Sequence, residues 1–499
     1  MLTKSPHFAP HEGVVPVSTH TADTNNTAPT NIKPDTISVT ALTALVIGSM
    51  IGGGIFSLPS QMASAAAPGP LIIGWIITGF GMLMLAMVFQ RLAISRPEID
   101  AGVYGYAKAG FGNYTGFSSA WGYWLSAWMG NVGYMVLLMA ALGVFFPGFG
   151  DGNTPQAITV ASILVWVYHF LLLRGMREAA FINLVVTIAK ILPLLVFIII
   201  AVISFDAGIF SADFWGTADT NLGSTLDQVK SMMLVTVWVF IGVEGASIFS
   251  ERARTRSDVG KATIIGFVSV LALLLFVNIL SYGIVPRTEL ANLANPSLGR
   301  VLTAAVGPWG AKIIAFGLAI SLIGALLSWS LMCAEILRAP ALDNTFPAWF
   351  GKANNNGTPA GAMWLTSICV QLMLIWTLFN SSTYTQLALL ASALILLPYL
   401  FSATFQLLEA FRAKENRSTA AILVGLLGTI YAFWLLYAAG LTYLLYVGLF
   451  YLIGTPFYVV ARKKSGLKVF DKIDTIVFLF FLITSIYAIW GLSTGHLSL

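Results

Sequence analysis

Thirteen apolar runs, each long enough to cross a lipid bilayer, follow one another along this sequence. A helix needs about 20 apolar residues to span the hydrocarbon core, and only helices or closed barrels satisfy their backbone hydrogen bonds in lipid. The composition agrees, with 57% hydrophobic residues and 9% charged residues. We therefore predict an all-α polytopic membrane protein. The predicted spans are Ser38–Met62, Leu71–Ile94, Tyr114–Phe146, Ala157–Leu173, Phe181–Ser204, Met232–Ser250, Ala262–Ile284, Ala311–Leu337, Ala360–Asn380, Gln386–Phe411, Ala420–Tyr437, Leu441–Val460 and Thr475–Leu492.

The positive charges indicate the orientation of these spans. Of the 26 Lys and Arg residues, 21 fall in the tail and the loops on one side, and four fall on the other side. Since cytoplasmic loops carry the excess of Lys and Arg, we place the N-terminus in the cytoplasm and the chain in the cytoplasmic membrane. The net charge of +5 follows from this topology and predicts no nucleic-acid partner. Residues 1–37 are polar and are predicted to form a disordered cytoplasmic tail.

The first span is interrupted at its midpoint by Gly52, Gly53 and Gly54. Glycine destabilises a helix interior by about 1 kcal/mol relative to alanine, and a break in lipid is tolerated only where it lines a cavity. The half-helix ends at such a break present amides and carbonyls, which can hold the carboxylate and ammonium of an amino acid. The alternative is that the small residues let a neighbouring helix pack closely. These residues alone leave both interpretations open.

Two ionisable residues lie inside predicted spans, where a charge is costly and is a functional hypothesis by default. Glu244 lies between Gly242 and Gly245 in span six, and it is predicted to titrate as a proton switch, to balance a cationic substrate, or to bind unwound backbone amides. Lys190 lies ten residues into span five. Its ammonium needs oxygen partners and could take the place of a bound Na⁺; the alternative is a lysine that snorkels to the interface. The sequence leaves these alternatives open.

Trp238 precedes Glu244 by six residues, close to the second glycine-rich position. Its indole face could close over a ligand or stack on a cation. The alternative is an aromatic ring packed within the helix bundle. Interrupted spans one and six lie five spans apart, which is typical of an inverted repeat with its binding site at the membrane midplane.

The sequence argues against an enzyme. It has no nucleophile–base set, phosphate loop or metal-ligand spacing, so we predict no catalytic residues, no cofactor and no metal site. The two cysteines, Cys333 and Cys369, fall inside apolar spans and predict no disulfide framework. Two short helices are expected outside the spans, one interfacial helix in the loop after span two and one capping or re-entrant helix over Ala294–Val306.

The motifs around these positions resemble the amino acid–polyamine–organocation transporter superfamily, and within it the basic amino acid/polyamine antiporters. The complete set of spans looks most like arginine/ornithine antiporters and their lysine-permease relatives. The motifs that carry the resemblance are GSMIGGGIFSLP (Gly48–Pro59), AGVYGYAKAGFG (Ala101–Gly112), YWLSAWMGN (Tyr123–Asn131), TIAKILPL (Thr187–Leu194), VWVFIGVEGAS (Val237–Ser247), NTFPAWFGKANNNGTP (Asn344–Pro359) and LLPYLF (Leu396–Phe401).

This resemblance implies a five-plus-five inverted-repeat, LeuT-like transporter fold. Residues 38–411 would form the transport core from helices one to ten, and residues 412–499 would form three peripheral helices. It also implies cationic amino acids as substrates and membrane lipid as a partner, and it leaves a homodimer open. The transport mode implied is exchange of arginine for ornithine, with lysine uptake and a non-transporting receptor as alternatives.

The resemblance also implies roles for individual residues. The substrate-binding set would be Met50, Gly52, Gly53, Gly54, Tyr123, Ser126, Asn131, Trp238 and Ile241. The amides of Gly53 and Gly54 would take the substrate carboxylate, and the carbonyls of Met50, Trp238 and Ile241 its α-ammonium. Tyr123, Ser126 and Asn131 would contact the side chain.

The same resemblance assigns gating and coupling roles to Trp238, Glu244 and Lys190. Lys190 would take the place of a sodium ion. One departure concerns span eight, where arginine exchangers carry a tryptophan and this sequence has Ala325. Trp329 lies one helical turn away and is a candidate substitute. The preferred side chain, arginine, ornithine or lysine, is therefore left open.

Overall fold

The computed structural model describes residues 38–99, 101–175, 180–244, 255–380, 383–413 and 418–497. The predicted disordered tail and Gly245 lie outside the described residues. The helices are α1 Val39–Met50, α2 Gly54–Ala65, α3 Pro68–Ser95, α4 Gly102–Phe111, α5 Asn113–Gly143, α6 Pro155–Leu173, α7 Ala180–Ile203, α8 Ala207–Ser211, α9 Thr225–Phe240, α10 Arg256–Tyr282, α11 Arg287–Ala291, α12 Ser297–Val306, α13 Trp309–Leu342, α14 Ala360–Asn380, α15 Tyr384–Arg412, α16 Thr419–Lys464 and α17 Lys472–Ser493.

The prediction of an all-α, many-span membrane protein is confirmed. Among the described residues, ten helices are individually long and apolar enough to cross a membrane, and α1 with α2 forms an eleventh, broken span. Helix α16 is 46 residues long and contains Gly440 at φ 80° and ψ 167°, a conformation that interrupts the helix. This glycine divides α16 into the two predicted spans eleven and twelve. Predicted span six corresponds to α9, and its continuation over residues 245–250 lies outside the described residues.

Several helices begin earlier than the hydropathy pattern predicts. Helix α9 starts at Thr225, seven residues before the predicted boundary, and α10 starts at Arg256. Each has a capping box, formed by Ser224 with Asp227 and by Thr255 with Asp258. Polar first turns of this kind stabilise a helix end but carry no apolar signal, so a search for apolar runs misses them.

The break in the first span is present where the glycines predict it. Helices α1 and α2 are bent by 45° relative to each other, and residues 51–53 between them are not helical. Helix α9 likewise ends at Phe240, and Gly242 behind it has a φ of 103°, in the left-handed region that favours glycine. Both interrupted spans therefore expose helix ends inside the bundle.

Helix α5 lies at the centre of the bundle. Within its most apolar stretch 94% of the residues are buried, compared with 22% for α17. It packs against α4, α13, α15 and α16. A central helix is surrounded by protein rather than lipid, so it can carry polar residues such as Ser126 and Asn131. The site described below is built largely on this helix.

Both expected short helices are present. Helix α4 follows α3, and its Tyr104 and Lys108 both bond the Asp343 carboxylate at the end of α13. Burial, together with the bond to Asp343, raises the pKa of the Tyr104 phenol above its usual range, so this hydroxyl stays protonated. Helix α12 packs on α2 and α13, and the Ser297 hydroxyl accepts a hydrogen bond from the Ser60 amide at 3.2 Å.

Candidate functional site

The two interrupted spans meet at their breaks. The Ser49 hydroxyl at the end of α1 donates to the Gly242 carbonyl at 3.0 Å. A Cβ atom on Gly242 would lie 2.8 Å from the Ser49 carbonyl oxygen, so a larger residue would push the two segments apart. Glycine at this position therefore permits both the left-handed backbone conformation and the close approach of the two interrupted spans.

The glycines of the first break are packed tightly by aromatic and aliphatic side chains. A Cβ on Gly52 would lie 2.0 Å from the Tyr134 hydroxyl oxygen, and one on Gly54 would lie 2.9 Å from a Val239 methyl group. The close-packing alternative left open by the sequence is thus observed at these positions. Close packing and ligand binding are compatible here, because the side chains that pack against the glycines also surround the exposed helix ends.

Helix ends of opposite polarity lie side by side at this point. Helix α2 begins after Gly53 with no side-chain cap on its first amides, and the N-terminus of a helix carries a partial positive charge. The neighbouring Val239 and Trp238 belong to the last turn of α9, whose carbonyl end carries a partial negative charge. The arrangement can hold an anionic and a cationic group next to each other.

A small cavity of about 20 Å³ lies beside these helix ends. Eight of its nine lining residues are buried, and we call it the enclosed cavity. Five predicted site residues line it, namely Tyr123, Ser126, Asn131, Trp238 and Ile241. The other predicted backbone positions lie at the break itself, with Met50 at the end of α1, Gly52 and Gly53 in the unwound segment and Gly54 at the start of α2. The structure thus brings the predicted substrate-binding residues into one region.

Two buried polar atoms of this cavity have no hydrogen-bond partner within the described part of the chain. They are the Ser126 hydroxyl oxygen and the Asn131 amide oxygen, and both residues are 2% exposed. The Asn131 amide nitrogen is 3.8 Å from the Cys333 sulfur. Buried polar atoms normally have partners, so these two oxygens mark the cavity wall as a surface for a polar ligand.

Four further residues line the cavity without having been predicted for the site: Ala127, Gly130, Tyr134 and Trp329. The first three continue the helical spacing that links Tyr123, Ser126 and Asn131 on α5. That periodicity was the available sequence signal for Tyr134. Trp329 had been considered only as a substitute for Ala325, and Trp329 rather than Ala325 lines the cavity.

Trp238 is held on both sides by tyrosines. Its indole nitrogen donates to the Tyr384 hydroxyl at 2.6 Å, and the Tyr134 ring meets it edge-on with centroids 5.4 Å apart. A Cβ on Gly130 would lie 3.0 Å from the indole ring. The indole therefore has a fixed orientation at the cavity, consistent with both a gating role and simple packing.

Glu244 accepts hydrogen bonds from two tyrosine hydroxyls and a backbone amide. The Tyr123 hydroxyl donates to one carboxylate oxygen at 2.7 Å, and the Tyr399 hydroxyl donates to the other at 2.9 Å. The Gly242 amide, in the unwound segment, is 3.2 Å from that second oxygen. We call this arrangement the Glu244 clamp, and it joins α5, α15 and the break after α9.

A second, larger cavity of about 290 Å³ adjoins the clamp. Tyr123 lines both cavities, and Glu244 lines the larger one. We call the larger cavity the vestibule. Its wall includes Arg96, Tyr104 and Glu335 near the ends of α3, α4 and α13. The clamp therefore stands between the enclosed cavity and the vestibule.

Lys190 on α7 binds the end of α1. Its ammonium donates to the Gly48 carbonyl at 2.8 Å and to the Ile51 carbonyl at 3.1 Å. The residue is 3% exposed. These contacts differ from those of a lysine that extends to the membrane interface, and they place a positive charge at the negative pole of α1.

Comparison with known proteins agrees with this architecture. The family model for amino acid permeases matches residues 37–461. An arginine/ornithine antiporter of Pseudomonas aeruginosa is 54% identical over 92% of this chain and 98% of its own length. An L-lysine transport protein of Corynebacterium glutamicum is 42% identical over 93% and 96%, and an arginine/agmatine antiporter of Chlamydia caviae is 43% identical over 85% and 90%. The resemblance identified from the motifs is confirmed.

Proposed function

The chain belongs to the amino acid permease family, and from this premise we propose that it exchanges arginine for ornithine across the cytoplasmic membrane by alternating access. It is a transporter rather than an enzyme, as its relatives are. The observation that carries the proposal is the pair of opposed helix ends beside an enclosed, polar-lined cavity. The name of the Pseudomonas aeruginosa relative supports the choice of substrates.

The α-amino acid group common to all substrates would bind at the two breaks. The amides of Gly53 and Gly54 lie at the positive end of α2 and suit the α-carboxylate. The carbonyls of Met50, Trp238 and Ile241 suit the α-ammonium. The Met50 carbonyl accepts from the Gly52 amide at 2.9 Å, and a carbonyl oxygen has a second lone pair for another donor.

The cationic side chain would extend along α5. The Ser126 and Asn131 oxygens, which have no partner among the described residues, can accept hydrogen bonds from a guanidinium or an ammonium group. Tyr123 and Trp329 complete this part of the wall. An Arg side chain offers five N–H donors, whereas ornithine and lysine offer three from one nitrogen. The exchange of differently sized substrates therefore depends on how this wall adjusts.

The proposed cycle requires the enclosed cavity to widen. A volume of about 20 Å³ has room for about one water molecule by this measure, whereas the vestibule of about 290 Å³ has room for an amino acid. Opening of the Glu244 clamp would join the two cavities and release substrate into the vestibule. Trp238 would close the site against the opposite side.

Exchange rather than net uptake would follow if the substrate-free protein reorients slowly. Glu244 and Lys190 lie beside the two interrupted spans, and each is hydrogen-bonded to another helix or its end in this conformation. A bound cationic amino acid between these regions would ease the rearrangement. In this proposal the N-terminus is cytoplasmic, and lipid surrounds the outer helices of the monomer or of a homodimer.

Counterflow in liposomes tests the proposal. Purified protein is reconstituted with unlabelled arginine inside, and labelled arginine, ornithine or lysine is added outside. We expect uptake that requires internal substrate and accepts ornithine. Uptake into empty vesicles that is driven by a proton gradient or voltage and is fastest for lysine would instead support the lysine permease. Binding without counterflow would support a receptor.

Replacing Trp329 with alanine is expected to weaken the binding of arginine more than the binding of ornithine. Trp329 lines the enclosed cavity, and a cation over an indole face gains about 0.5–2 kcal/mol, which is about 2- to 30-fold in affinity. Guanidinium groups stack on such faces better than ammonium groups do. The measurement is the KM for external arginine and ornithine in counterflow.

Trp376→Ala is the control for this prediction, because Trp376 is a half-exposed tryptophan on α14 outside both cavities. It should leave both KM values unchanged. An equal rise in the KM for arginine and for ornithine in Trp329→Ala would contradict a role in recognising the guanidinium group.

A further inference from the structure

Tyr134 reaches the first break from within the enclosed cavity. It lies on α5 one turn beyond Asn131, and its side chain lines the cavity next to Trp238. A Cβ on Gly52 would lie 2.0 Å from its hydroxyl oxygen, and one on Gly53 would lie 3.3 Å from its ring. The phenol oxygen is thus located at the N-terminal end of α2.

The same cavity carries independent signs of a polar ligand. Buried oxygens of Ser126 and Asn131 lie in its wall, and neither oxygen has a hydrogen-bond partner in the described part of the chain. Both residues lie on α5 together with Tyr134. One helix therefore presents polar groups along the cavity and a phenol at the end nearest the helix break.

We propose that the Tyr134 hydroxyl is a further substrate-binding group, which donates its proton in a hydrogen bond to the α-carboxylate of the amino acid. This inference rests on the proposed amino acid exchange. In the present conformation the Tyr134 side chain lies against Gly52 and Gly53, just before the first turn of α2. A carboxylate is an acceptor only, so when it arrives at the start of α2 the backbone amides and the phenol both donate to it, and no proton is transferred.

The consequence is selection for substrates that carry a carboxylate. An amine such as agmatine, which is arginine without its carboxylate, has no acceptor at this position for the proton of the phenol. For such a ligand the hydroxyl of Tyr134 contributes nothing to binding. Tyr134 would therefore separate amino acids from the corresponding amines, whereas Ser126, Asn131 and Trp329 act on the side chain that both kinds of ligand share.

The test combines one protein change with one ligand change. Binding of arginine, argininamide and agmatine to the purified full chain is measured by calorimetry or by competition, for the unmodified protein and for Tyr134→Phe. We expect arginine affinity to fall about 10- to 100-fold in Tyr134→Phe, the range for losing one hydrogen bond to a charged group. Agmatine, which has no acceptor at this position, should change by less than about twofold, and argininamide, whose carbonyl is a neutral acceptor, should change by less than arginine does.

Tyr384→Phe is the matched control. Tyr384 also contacts the Trp238 indole, but it does so through the indole nitrogen and lines neither cavity. Any effect of that change should be equal for the three ligands. Equal weakening of all three ligands in Tyr134→Phe, or unchanged arginine affinity, would overturn the inference.

Failure of this inference can be told apart from failure of the proposed exchange. Counterflow by the unmodified protein tests the exchange, whereas the ligand comparison requires only binding. If the unmodified protein binds ornithine or lysine better than arginine, the comparison uses that amino acid and its carboxamide. Loss of affinity confined to the free acid then still supports the role of Tyr134.

Discussion

Lys190→Ala is expected to reduce exchange by about 100-fold or more, since a hydrogen bond to a charged donor is worth about 1.5–3 kcal/mol and Lys190 makes two such bonds to the described residues Gly48 and Ile51. The change leaves the carbonyls of Gly48 and Ile51 without the ammonium at the buried end of α1. In lipid such groups have no water to replace it. The measurement is the counterflow rate at equal amounts of reconstituted, monodisperse protein.

Two further variants separate charge from packing at this position. Lys190→Met keeps most of the side-chain volume and should be as inactive as Lys190→Ala. Addition of Na⁺ should restore part of the rate to Lys190→Ala only, because unwound backbone carbonyls are sodium ligands in this kind of architecture. Lys312→Ala, at the exposed start of α13, should retain full activity. A folded Lys190→Ala protein that binds arginine and exchanges at the full rate would contradict the proposed coupling role.

Glu244→Gln is expected to slow exchange by about 10- to 100-fold, because charge-assisted hydrogen bonds are roughly twice as strong as neutral ones. The carboxylate accepts from Tyr123, Tyr399 and the Gly242 amide. A glutamine offers one acceptor oxygen and adds two N–H donors, so it cannot satisfy all three donors. The clamp between the enclosed cavity and the vestibule should therefore open more often, so that substrate leaves before the protein reorients and exchange slows.

The opening can be measured directly by thiol labelling. Ala127 lines the enclosed cavity, and a cysteine introduced there should react faster from the vestibule side when Glu244 is glutamine. Glu335→Gln is the matched control, because Glu335 lines the same vestibule and loses the same charge without belonging to the clamp. Unchanged labelling together with unchanged exchange in Glu244→Gln would show that the clamp has only a structural role.

Features that depend on local composition could be predicted from the sequence. Spans of about 20 apolar residues and the break at Gly52 follow from the physics of a helix in lipid, and the structure contains them. The buried positions of Glu244 and Lys190 could also be predicted from the sequence, since each residue interrupts an apolar run. Helix starts with polar first turns, such as Ser224 before α9, were missed because capping leaves no hydropathy signal.

The partners of the buried charges could not be predicted in this way. Tyr123 and Tyr399 meet Glu244 across 121 and 155 positions of sequence, and Lys190 meets Gly48 across 142. The role of Tyr134 was likewise missed, although its spacing from Asn131 put it on the same face of α5. An aromatic residue in an apolar helix gives no indication of which neighbour its hydroxyl will meet.

The sequence alone therefore determined that the chain is all-α with many apolar spans, where two of these spans are interrupted, and that two buried charges needed partners. These properties follow from residues close together in the chain and from the cost of exposing polar groups to lipid. The tertiary structure alone decided that Tyr123 and Tyr399 hold Glu244, that Trp329 rather than Ala325 lines the cavity, and that Tyr134 lies at the end of α2. Such contacts depend on how helices pack and rotate against one another, and local composition does not specify that packing.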